Sequence, residues 1–233
     1  MESNLNQDGL NFIKGKIMYK KITHTIVEEH FAHPMGVGIA ANVKTGRPMG
    51  RSQLAEIMST AQLKSFVDNY FIEIEDKLVE LCNATFDDNL DFQAAIANAM
   101  DYEALGDMLG KYYDVELKER FNQNTGIAIM QLLYYWRNAI RKFDNKETVA
   151  RIKQQSWAMG IVMSQYNNFW DRDILRAHLD DFFGEFINLG NAKLAKNKTT
   201  ETATLDKIAA AGSKLSNYLA NGLLQNHPEL FTA

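Results

Sequence analysis

Cysteine is almost missing from this chain. Cys82 is the only one in 233 residues, so no intrachain disulfide and no multi-cysteine metal site can form within it. A single thiol of this kind fits a reducing, intracellular setting, and the expectation is a soluble protein of cytoplasm or virion. Proline is scarce as well. Pro34, Pro48 and Pro228 are the only three, and none falls inside a strongly periodic segment. That spacing favours long uninterrupted helices. Long apolar runs are lacking too: the most apolar stretch, Gly126 to Trp136, is about half of the roughly 20 residues a membrane span needs. The opening MESNLNQDGLNF has no basic region followed by an apolar core, so neither a secretory signal nor a membrane partner is expected.

Several chemistries lose their anchor for the same kind of reason. The chain holds no Gly-x-Ser-x-Gly, no His-Glu-x-x-His, no Glu-x-x-His and no EF-hand loop. No segment alternates with period two for long enough to be a strand.

What the chain does have is sorted charge. Residues 61–120 carry five Lys and Arg against fourteen Asp and Glu, whereas residues 121–160 carry six basic groups against two acidic ones. The overall formal charge of −4 therefore hides an acidic stretch beside a basic, aromatic one. Such asymmetry points to contacts between chains or with a polyanion.

Apolar spacing of three and four predicts helices almost throughout. A first runs from about Ile13 to Phe31 and is stopped by Pro34. Ser59 and Gln62 make a capping box for a long helix with the stripe Leu63, Phe66, Tyr70, Ile74, Leu78, Leu81. Asn89 or Asp91 opens a helix through Met100, and Asp101 caps another that Gly106 and Gly110 break. Val115 to Phe121 forms a segment of its own, Asn124-Thr125-Gly126 a turn, and Ile129, Leu133, Trp136, Ile140 and Phe143 the stripe of the next helix. Asp144 and Glu147 then signal the start of a helix with the stripe Val149, Ile152, Ser156, Met159, Met163, Tyr166, Trp170. Leu175 to Leu189 follow, ended by Gly190, and Leu205, Ile208, Leu215, Leu219 and Leu223 mark the last helix.

The expected fold is all-α, an antiparallel multi-helix bundle of about seven to nine helices with a long Gly- and Pro-containing loop near residues 34–51. Residues 1–12 read as a flexible N-terminus, 13–190 as the main helical domain, and 191–233 as a lysine-rich hinge and C-terminal helix packing on the main domain or a neighbour.

Three clusters carry candidate chemistry. His24, Glu28 and His30, with His178, Asp181 and Glu185 from a later helix, bring together the residue types that hold iron or manganese in helical bundles. The loop with Lys44, Arg47 and Arg51 at a helix start can hold an anion on unpaired amides and guanidinium groups. Tyr134, Arg137, Arg141 and Lys142 form a basic aromatic face able to pair phosphates and stack a base. The function expected from these is a non-enzymatic interaction or assembly protein, self-associating as a homo-oligomer, pairing with another protein or binding nucleic acid, with no cofactor. A coat- or nucleoprotein-like subunit is one concrete version. The alternative is an iron- or manganese-dependent helical-bundle oxidoreductase. A third expectation is a small apolar ligand held by Met159, Met163, Trp157 and Trp170.

Overall fold

Seven α-helices make up nearly all of the described chain in the computed structural model, which describes residues 58–87 and 90–232. The expected first helix, the loop at 34–51 and the candidate cap Asn89 lie outside the described residues.

Helix α1 (Thr60–Phe86) begins at the capping box the spacing predicts: the Ser59 hydroxyl accepts from the Gln62 amide and the Gln62 side chain accepts from the Ser59 amide. Its inward stripe includes Leu63, Tyr70, Ile74, Leu78 and Leu81, all buried. Asp91 caps α2 (Phe92–Ala99) by accepting from two amides. Helix α3 (Ala104–Tyr112) starts at Glu103 without a side-chain cap. Asp101, expected to cap it, is instead taken up by Lys77 of α1, which donates to its carboxylate and its carbonyl.

The turn expected at Asn124-Thr125-Gly126 is absent. Helix α4 runs unbroken from Val115 to Ile140, capped by Asp114. Gly126 there marks a close approach rather than a chain reversal, because the Tyr102 ring lies where its Cβ would be. Gly190 does not end its helix either. Helix α6 (Arg172–Leu194) continues past it, and the missing side chain leaves room for the Trp136 indole. Helix α3 likewise passes through Gly106 and Gly110. Between these lies α5 (Lys146–Tyr166), and α7 (Lys198–Asn226) closes the set. The lysine-rich segment 191–201 is therefore helical except for residues 195–197, with Asn197 capping α7.

Helix α6 packs against α1, α4, α5 and α7, while α2 and α3 lie in the connection between α1 and α4. Helices α1 and α7 run in opposite senses. Asp68 near the start of α1 accepts from Ser216 late in α7, and Glu75, two turns further along α1, lies beside Gly212, one turn earlier in α7. The largest fully buried side chains are Trp136, Trp170 and Phe186. Each indole N–H is spent on a backbone carbonyl: Trp136 donates to Phe186 at 3.1 Å and Trp170 to Leu219 at 3.2 Å. Burying an indole without such a partner is costly.

Some stripe positions turn outward. Ile140 and Phe143 are exposed because α4 ends at Ile140, beyond the helices that cover its inner face. Leu205 is exposed because Thr204 takes the inward position ahead of Ile208. Trp157, expected in the core, sits one residue past buried Ser156 and is rotated out to solvent. One strand-like element was not expected: Met58–Ser59 (β1) pairs in parallel with Phe231–Thr232 (β2), in the register Met58 to Phe231. Two residues are too short for a period-two pattern to be read. The Phe231 ring lies 5.4 Å from Tyr112 between centroids.

Candidate interaction surface

The junction between α4 and α5 gathers the basic aromatic residues. The end of α4 is closed by two reversed bonds, Lys142 N–H to Ala139 carbonyl at 3.1 Å and Phe143 N–H to Asn138 carbonyl at 2.9 Å. This is a Schellman closure, which places the residue after the cap in the left-handed region and suits glycine there. The chain uses Lys142 instead, at φ 61°. Glycine would relieve the strain of a Cβ in this region. In such motifs the following residue commonly packs its apolar side chain back on the helix. Here that residue is Phe143, and it stays 62% exposed.

Around Phe143 the side chains of Arg141, Lys142 and Lys146 are all exposed. The loop itself is tied down: the Asn145 side chain donates to the Tyr135 carbonyl at 3.1 Å, and the Asp144 carboxylate accepts from the Lys146 amide at 3.0 Å. The expected Asp144–Glu147 capping pair does not form as such. Asn145 occupies the cap position, and Glu147 pairs with Arg151 at 2.7 Å.

The predicted face Tyr134, Arg137, Arg141, Lys142 is thus divided. Arg137 turns back onto the fold, its guanidinium 5.0 Å over the Phe92 ring of α2, a cation–π contact. Tyr134 is half-buried. Arg141 and Lys142 point outward, where they also complement the negative end of the α4 dipole. The candidate residues Lys44, Arg47 and Arg51 lie outside the described residues.

The acidic stretch has its own internal cations. Lys77 pairs with Glu73 at 2.7 Å and Asp101 at 3.1 Å, Lys118 with Asp107 at 2.6 Å, and Arg120 with Glu116 at 2.6 Å. Glu75 differs from its neighbours. Its carboxylate is pressed against Gly212 of α7, and burial, helped by the Asp76 charge, pushes its pKa up to about 7.

For the metal alternative, His24, Glu28 and His30 lie outside the described residues. On α6, the His178 ring packs on Tyr218 at 5.2 Å between centroids. Burial, with Lys214 nearby, lowers its pKa, and Asp181 opposes the shift. Asp181 is exposed, and Glu185 accepts from Asn188 at 3.1 Å. Among the described residues no cluster of three or more His, Cys, Asp or Glu is arranged to hold a metal ion. Cys82 is fully buried, and burial raises its thiol pKa, the reverse of what a nucleophile needs.

The core holds a cavity of about 20 Å³ lined mainly by apolar side chains including Phe121, Ile129, Met159 and Phe182. That is space for about one water molecule, so it does not accommodate the apolar ligand envisaged for Met159, Met163, Trp157 and Trp170. Among the described residues no helix is long and apolar enough to cross a membrane. No family model, curated protein or solved structure matches this chain.

Proposed function

We propose that this chain is a non-enzymatic helical interaction subunit, an antiparallel multi-helix bundle that self-associates or binds an anionic polymer, a coat- or nucleoprotein-like subunit being one concrete version, and that of the two the binding of an anionic polymer is the better supported. The observation that supports it most is the α4–α5 junction. An aromatic ring stands 62% exposed there among three exposed cations, Arg141, Lys142 and Lys146, on a loop whose backbone is fixed by hydrogen bonds. An exposed ring beside cations offers a stacking face to a partner whose phosphates those cations can pair. Cations on a rigid loop bind phosphates with little ordering cost.

The test is retention on immobilised heparin against salt, for the wild type and for R141E/K142E/K146E. The expected result is elution of the triple variant at clearly lower salt, with an unchanged urea midpoint showing that the fold survives. Equal elution of the two proteins would remove the junction as the anion-binding surface.

A further inference from the structure

The basic aromatic junction does not stop at the loop. Along α5 the residues Lys146, Ala150, Lys153 and Trp157 follow at spacings of four, three and four, which places them in one row on the same helix face. All four are exposed, and Trp157 is 42% accessible. With a rise of 1.5 Å per residue, Lys146 and Trp157 stand roughly 16 Å apart along the axis. The helix row therefore reads cation, cation, aromatic (Lys146, Lys153, Trp157), and exposed Phe143 stands in the loop three residues before its first member. Of the two acidic residues beside these positions, Glu147 is drawn aside into its pair with Arg151, and the Asp144 carboxylate accepts from the Lys146 amide.

We infer that this row is a track for single-stranded nucleic acid, with Phe143 and Trp157 stacking unpaired bases and Lys146, Lys153 and the junction cations pairing the backbone. The inference rests on the proposed association with an anionic polymer and names that polymer. Charge complementarity selects a polyanion over an acidic-patch-free protein surface. The two exposed rings select one whose flat faces are open, because a duplex keeps its bases stacked on one another. A membrane surface would ask for an apolar stripe that buries itself, and here Lys146 and Lys153 lie within the row.

Trp157 supplies its own reporter. Trp136 and Trp170 are fully buried, so quenching by an added oligonucleotide reads Trp157. The probe is a mixed-sequence RNA of roughly 12 nucleotides, within the range of single-strand site sizes, end-labelled with a fluorophore so that its anisotropy gives the affinity of variants lacking Trp157. We expect quenching on binding, a loss of about 5- to 150-fold in affinity for Trp157→Ala, the stacking contribution of about one base, and substantial rescue by Trp157→Phe. Lys146→Ala with Lys153→Ala should flatten the dependence of log affinity on log salt by about 1.4. A duplex of the same sequence should bind without dependence on Trp157.

If Trp157→Ala leaves RNA affinity unchanged while R141E/K142E/K146E abolishes heparin retention, the track is wrong and the wider reading stands. If neither RNA nor heparin is retained by the wild type, both fall. If Trp157→Ala changes only the sedimentation of the protein, the row is an interface between copies and the nucleic-acid track is overturned.

Discussion

The seat of Trp136 offers a sharp test of how this core is held. The indole is fully buried, its N–H bonds the Phe186 carbonyl, and its pyrrole edge occupies the space a side chain at position 190 would need. Gly190→Ala should therefore overpack the site at a cost of about 1–3 kcal/mol. It also gains about 1 kcal/mol of helix propensity, because position 190 is interior to α6. The net expectation is a loss of roughly 0–2 kcal/mol. Trp136→Leu removes most of the ring and should cost about 2–4 kcal/mol, just under the range for truncating a buried Trp to Ala. The Phe186 carbonyl also accepts within α6, so losing the indole does not orphan it, and the cost is mainly the cavity. In the double variant the new methyl enters space the ring has left. The two changes should then couple favourably by about 1–3 kcal/mol, leaving the double variant about 1 kcal/mol more stable than Trp136→Leu alone, which is the helix-propensity gain. The assay is urea unfolding followed by far-ultraviolet circular dichroism on all four proteins. Effects that add to within about 0.5 kcal/mol would refute the shared seat.

Two further expectations concern charge. Glu75 has its pKa raised from the ordinary 4.5 to about 7 by burial and by Asp76, so the folded protein binds a proton more tightly than the unfolded chain between those values. Its contribution to stability is full below about pH 4.5 and is lost as pH rises through about 7; Glu75→Gln should flatten that part of the stability–pH curve, and curves for the two proteins that run parallel from pH 4.5 to 8 would contradict the assignment. The Lys193–Glu201 pair is formed at 2.6 Å by side chains only 12% and 15% exposed. Lys193→Met should cost about 1–3 kcal/mol, less than a fully stranded buried charge because exposed Lys198 still reaches Glu201, and adding Glu201→Leu should recover most of it in thermal unfolding at pH 7.

The helical class and most inward stripes were legible in the sequence, because spacing of three and four is a local property of a chain that must bury one side of each helix. The Ser59–Gln62 box and the Asp91 cap were legible for the same reason: side chain and amide are within three residues of each other. The rotation of Trp157 was available too, since it falls off the Ile152–Ser156–Met159 stripe by one residue, about 100° around the helix. Its size and apolar character argued for the core, and that argument lost to position.

The glycines were not legible. Whether Gly126 or Gly190 ends a helix depends on Tyr102 and Trp136, which come from other parts of the chain and fill the space each glycine leaves. Nor could the sequence show that Arg137 would leave the basic face for Phe92 while Phe143 stayed in solvent. By itself, then, the sequence determined the helical class of the described residues, most of the inward apolar positions, and where opposite charges are concentrated. Only the tertiary structure decided which glycines are seats rather than stops, and which aromatics and cations remain for a partner. The reason is physical: burial periodicity repeats within one helix, whereas close approach and residual exposure are set by what the neighbouring helices bring.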